Sequence, residues 1–240
     1  MRFSTKFSSK QMNLDLFLDS HKIVGVGDRV ELLAVLLREF LVTEFAEVGV
    51  FAGELSAQLL SRVENIQRYV MIDPWRNLPN WDKPSNLSNE NFEIHYKKTL
   101  EVTAAWRNKL TILRGTTLEV VSQIPDNSLD ALYIDADHTL RGITLDLHLL
   151  WPKLRNGGYL FGDDFTKNIW QHSKDFSPSL VFPYAVYFAE LMRVPIYSLP
   201  HNQFMIHKNT SAEFQFKDSL GYSQRNIELV WIPEIYHLEN

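Results

Sequence analysis

The sequence predicts a doubly wound α/β fold: a seven-stranded, mainly parallel sheet with helices on both faces. Three observations predict it. Five strand-like apolar runs each lead into a helix-period segment, and two short runs close the pattern. A glycine turn, Glu47-Val48-Gly49-Val50-Phe51-Ala52-Gly53, joins the first run to its helix. Acidic residues or glycines stand at the carboxyl ends of all five runs: Glu47 to Gly53, Asp73, Gly115 to Thr117, Asp135 to His138, and Asp163-Asp164. Ligands of such sheets bind beyond that edge, where the strand order reverses.

Local signals justify each element in turn. Residues 1–24 form an arm of mixed polarity in which Leu14, Leu16, Phe17 and Leu18 need a surface to cover. Asp28, with Glu31 in its first turn, starts a helix whose face is Val30, Leu33, Leu37 and Phe40. Strand 44–50, helix 54–64 and strand 68–73 make a βαβ unit. Pro74, Pro79 and Pro84 rule out a helix in the loop that follows. Trp75 and Trp81 in that loop either pack on the adjoining helix or wall a pocket. Ser88 caps a helix with Phe92, Tyr96, Leu100 and Thr103 on one face. Leu110 to Leu113 is a strand, and Thr116 with Glu119 forms a capping box behind it.

Leu129 to Ile134 is a buried strand. From Thr139 a helix places Leu140, Ile143, Leu147, Leu150 and Trp151 together and ends at Gly157-Gly158. Tyr159 to Gly162 is the fifth strand, 165–178 a loop and 180–193 a helix. Residues 195–199 and 203–207 are the closing strands, and Ile227 to Ile232 reads as an edge strand or extended arm. The chain thus divides into an N-terminal arm and helix (1–40), a core (41–208) and a C-terminal extension (209–240).

Composition narrows the function. The 240 residues are 45% hydrophobic and 22% charged, ordinary for a globular chain. A net charge of −5, with Lys and Arg scattered, gives no footprint for nucleic acid. The absence of Cys excludes disulfides, thiolate metal sites and cysteine nucleophiles. No run reaches the roughly 18 apolar residues that span a bilayer, and the N-terminus lacks a signal-peptide pattern, so a cytoplasmic location is expected. The arm and the tail point to a homodimer.

The glycine turn is a nucleoside-cofactor signal. Asp73 follows Gly49 at about the 20-residue spacing at which a carboxylate meets a ribose hydroxyl pair. Phe51 stands where the dinucleotide fingerprint has its second glycine, the one that admits a pyrophosphate. The turn therefore suits a cofactor without a phosphate better than a nicotinamide dinucleotide. His172, His201 and His207 are scattered and read as structural.

From residue 41 to about 165 the register resembles the class I S-adenosylmethionine-dependent methyltransferases, with their Rossmann-like fold. Tyr-Ile-Asp-Ala-Asp-His (133–138), Trp-Pro-Lys-Leu-Arg-Asn-Gly-Gly (151–158) and Gly-Asp-Asp-Phe (162–165) are similar to a bacterial small-molecule branch, itself close to the metal-dependent O-methyltransferases of sugars and catechols. The resemblance implies a small hydroxylated acceptor. It implies that Glu47, Gly49 and Gly53 line the methionine end of the cofactor, that Phe51 between them is also cofactor-binding, and that Asp73 holds the ribose. Gly115 and Thr116 would meet the adenine with Trp75, and Asp135 would border the cofactor. In metal-dependent members Asp135, Asp163 and Asp164 match the ligands of a Mg²⁺ ion, an oxygen-only set. Asp137 and His138 match alternative positions for the proton-accepting base, Asp137 being favoured. A metal-free transferase, a nicotinamide-dependent oxidoreductase and a non-catalytic cofactor-binding module are the competing readings.

Overall fold

The switch point lies between two neighbouring parallel strands, and the elements around it decide what reaches the site. The computed structural model describes residues 14–222 apart from 167, 171 and 172. His172, the first thirteen residues of the arm and the stretch Ile227 to Ile232 lie outside the described residues. Short helices α1 (Leu14–Leu18) and α2 (His21–Val24) lead into α3 (Arg29–Glu39). Then come β1 (Glu44–Val48), α4 (Glu54–Arg62), β2 (Arg68–Asp73), α5 (Asn89–Val102), β3 (Leu110–Arg114), α6 (Thr117–Val120) and β4 (Leu129–Ile134). The chain continues through α7 (Leu140–Leu150), β5 (Leu154–Gly162), α8 (Val181–Leu191), β6 (Ile196–Leu199), β7 (Gln203–His207) and β8 (Phe216–Lys217).

The sheet order is β3-β2-β1-β4-β5-β7-β6-β8, with β7 antiparallel to both its neighbours. The fold class is as expected, but the sheet has eight strands instead of seven. The added β8 is two residues long and pairs parallel with β6, Ile196 opposite Phe216. The direction of winding reverses between β1 and β4, so their carboxyl ends open the crevice.

Strand alternation sorts the core onto the two faces. Phe45, Tyr69, Met71, Tyr133 and Phe161 pack against α3, α4 and α5. Ala46, Val48, Ile72, Leu132, Ile134 and Leu160 pack against α7 and α8. Side-chain caps set three helix starts: Asp28 accepts from Glu31 N, Ser88 from Asn91 N and Thr139 from Gly142 N. The buried face of α3 is Leu32, Leu33, Leu36 and Leu37, wider than the expected stripe. Two expected face residues, Leu100 and Leu140, are exposed, and Thr99 takes the place of Leu100. Gly157-Gly158 does not end a helix: α7 stops at Leu150, a 3₁₀ turn follows, and both glycines lie inside β5. Gly157 has φ +84°, and the β4–β5 register shifts between Leu129 and Ala131. A glycine there marks an irregular strand start, not a helix cap.

Candidate functional site

The glycine turn is shaped by contacts that only glycine permits at two of its positions. Gly49 has φ +90°, and a Cβ there would run into the Asp135 carbonyl. The turn after β1 thus lies directly on the backbone leaving β4. Gly53, at φ +73°, precedes α4, and its Cβ position is filled by Thr99 of α5. Phe51 between them also has positive φ, +53°. Its N–H donates to Asp73 Oδ2 at 2.8 Å, and its carbonyl accepts from Trp75 Nε1 at 2.7 Å and Thr99 Oγ1 at 3.1 Å. The Phe51 ring stays partly exposed over His95.

Asp73 ends β2 and takes one backbone N–H on each oxygen, Phe51 on Oδ2 and Trp75 on Oδ1. Burial raises its pKa against the opposing pull of the Phe51, Trp75 and Val50 backbone N–H groups. Gly115 follows β3, its N–H donating to the Asp73 carbonyl at 3.0 Å. Thr116 N–H donates to Glu119 Oε2 at 2.8 Å, the capping box expected of it. Two residues sit deeper than their expected roles require. Trp75 is fully buried against Tyr96, supporting the turn from beneath instead of walling a pocket. Glu47 is 1% exposed and accepts from Ser56 Oγ and Tyr69 OH, both at 2.5 Å. Burial pushes its carboxyl up to about 7.

Across the crevice, four carboxylates meet three cations. Arg29, the first residue of α3, donates through Nη1 to Asp135 Oδ2 at 2.8 Å and to Asp163 Oδ2. Asp163 Oδ1 accepts from Gln203 Nε2 at 2.5 Å and from Asp164 N at 2.8 Å. Burial and the Asp135 charge push the Asp163 carboxyl up to about 6, against the pull of Arg29. His138 Nδ1 pairs with Asp164, and its Nε2 lies 3.5 Å from Asp135 Oδ1. Burial disfavours a charged imidazole, yet Asp135 and Asp164 outweigh it and push His138 up to about 10. Asp137 Oδ1 accepts from Trp81 Nε1 and Thr139 N, both at 3.0 Å. Lys83, buried in the same loop as Trp81, donates to the Ser177 carbonyl at 2.7 Å and lies in the field of Asp164 and Asp137. That pair of bonds draws loop 74–88 and the segment before α8 over the ends of β4 and β5.

The "Methyltransferase domain" family matches residues 46–165, half of the chain, from within β1 to the residue after Asp164. The chain belongs to the methyltransferase-domain family.

Solved methyltransferases share its fold. A caffeoyl-CoA-type O-methyltransferase from Staphylococcus aureus superposes with a TM-score of 0.56 at 20% identity, covering 81% of this chain and 90% of its own. An O-methyltransferase from Bacillus cereus, solved in complex with SAH, gives 0.54 at 17% identity, covering 81% and 85%. A curated relative, the uncharacterized protein R132 of Acanthamoeba polyphaga mimivirus, is 28% identical over 129 residues, 52% of this chain. The chain spans about half the length of that relative, 53% of it.

Within this methyltransferase domain the geometry of the described residues gives no support to the expected metal centre. The cation between Asp135 and Asp163 is the guanidinium of Arg29, and Asp164 turns to His138. Among the described residues no three His, Asp or Glu side chains are arranged to hold a metal ion. The donor set does not fit Mg²⁺, which needs several oxygens around one empty centre. Sequence reasoning missed Arg29, Lys83 and Gln203. One signal was available for Arg29: a basic residue in the first turn of a helix opposes the helix dipole and needs a carboxylate partner.

Proposed function

We propose that the protein transfers a methyl group from S-adenosylmethionine to a small hydroxylated acceptor. The observation that carries this is Asp73, held at the carboxyl end of β2 by the N–H groups of Phe51 and Trp75 beside the glycine turn. A carboxylate is acceptor-only and can take about four hydrogen bonds, so each oxygen keeps capacity for a ribose hydroxyl. Gly49 leaves no side chain between the turn and the Asp135 backbone, which suits close passage of the methionine end. Gly115 and Thr116 continue the same edge toward the adenine. The residues fit that cofactor, and the SAH complex of the Bacillus cereus neighbour supports the choice.

When bound, S-adenosylmethionine supplies a methyl group on a sulfonium. The chain's task is then to align the acceptor oxygen for in-line attack and to remove its proton. His138, held as an imidazolium by Asp135 and Asp164, has no lone pair to offer at neutral pH. The base is Asp137. Its Oδ1 is fixed by Trp81 and Thr139, and its Oδ2 makes no hydrogen bond among the described residues. The positive charges of His138 and Arg29 favour an acceptor oxygen that is losing its proton.

Calorimetric titration with SAH tests the reading on wild type and Asp73→Asn. The amide would turn an NH₂ donor toward one of the two backbone N–H groups, and the ribose would lose an acceptor. Wild type should bind at one site, and Asp73→Asn should bind roughly ten- to a hundredfold more weakly. No heat with the wild-type protein would sink the proposal.

A further inference from the structure

We propose that Arg29 is a built-in cation that holds the place of a divalent ion between Asp135 and Asp163 and makes this transferase metal-independent. The inference rests on reading the carboxylate edge as the acceptor end of the site described above. Nη1 bridges Asp135 and Asp163 and lies 3.5 Å from the Tyr133 hydroxyl, which itself donates to Gln203 Oε1 at 3.0 Å. Two carboxylates this close repel each other strongly unless a positive charge lies between them. Here a side chain supplies it. The third carboxylate is taken by His138, and Gln203 Nε2 holds the remaining oxygen of Asp163. An entering Mg²⁺ would have to displace a guanidinium that stays charged at any relevant pH.

The cation is delivered by a rigid element. Arg29 opens α3, whose Leu32, Leu33, Leu36 and Leu37 are fully buried against the sheet. Only Nη1 has protein partners among the described residues, and the side chain is 40% exposed. Nε and Nη2 carry, along one edge, two parallel N–H donors that make no hydrogen bond among the described residues. Such an edge matches a planar pair of oxygens. Arg29 is thus a positioning residue for an acceptor that presents a carboxylate or two adjacent oxygens, the role a metal fills by chelation.

Mn²⁺ binding to the full chain, read by electron paramagnetic resonance, tests this without any acceptor. Wild type should leave Mn²⁺ free into the millimolar range, whether SAH is present or absent. Arg29→Ala should bind Mn²⁺ at least tenfold more tightly, because Asp135 and Asp163 lose their cation. Arg29→Lys should exclude the ion as wild type does, which a merely structural role for the side chain does not predict. Should Arg29→Ala fail to fold, Arg29→Gln carries the same expectation with the side-chain volume largely kept. Submillimolar Mn²⁺ binding by wild type that is competed by Mg²⁺ would overturn the proposal, as would neutral variants that bind no better than wild type. SAH titrations on the same samples separate the two readings: lost SAH binding in wild type refutes the methyl-transfer reading, and Mn²⁺ behaviour refutes the role of Arg29.

Discussion

Glu47 carries a carboxylate into a place without water. Its partners, Ser56 and Tyr69, are both hydroxyl donors, and among the described residues no cation pairs with it. Burial raises its pKa from 4.5 to about 7. Below pH 4.5 the folded and unfolded chains both hold the proton. Between 4.5 and about 7 only the folded chain does, so rising pH favours unfolding across that window. The shift corresponds to a loss on the order of 3 kcal/mol by neutral pH. Glu47→Gln keeps an oxygen to accept from both hydroxyls and removes the titration. Chemical-denaturation curves at pH 5 and pH 8 should show a smaller loss of stability in Glu47→Gln than in wild type. The residual slope belongs to the other groups shifted upward in the folded chain: Asp146, which burial also pushes up to about 7, Asp163 at about 6 and His138 at about 10.

At the scale of an element, the start of α7 positions the proposed base. Thr139 caps the helix, Asp137 accepts the Thr139 N–H, and Gly142 leaves the space that the Asp137 carboxylate fills. A Cβ at residue 142 would run into both the side chain and the carbonyl of Asp137. Alanine stabilises a helix by up to about 1 kcal/mol over glycine. That gain is smaller than the effect of displacing a reacting group by about 1 Å, which can cost roughly a hundredfold in rate. Gly142→Ala should therefore lower kcat at least tenfold with an acceptor found by screening, while SAH binds within about twofold of wild type. Unchanged kcat would remove Asp137 from the mechanism.

At the scale of the molecule, the expected boundary at residue 41 divides what the core holds together. Leu32, Leu33, Leu36 and Leu37 of α3 are fully buried in the same cluster as Phe45, Tyr69 and Phe161. Burial of a leucine contributes roughly 2 kcal/mol, and four of them approach the roughly 5–15 kcal/mol of net stability of a domain. A chain beginning at Leu41 should lose cooperative thermal unfolding, measured by circular dichroism. It would also lose Arg29, so the helix that completes the core also completes the site. A sharp two-state melt from that shortened chain would show that the core folds on its own.

Much of the fold was legible because its signals are local. The caps at Asp28, Ser88 and Thr139 bond within three residues, and alternating apolar runs declare strands whatever they pair with. The two-residue β8 carries no such signal and exists through its pairing with β6. By itself the sequence determined a doubly wound sheet with a glycine turn after its first strand and a row of carboxylates along one edge. Only the tertiary structure decided which cation answers those carboxylates. Arg29 lies 106 residues from Asp135 and 134 from Asp163 along the chain. Coulomb energy depends on distance through space and on the local dielectric, and neither is written in the spacing of residues.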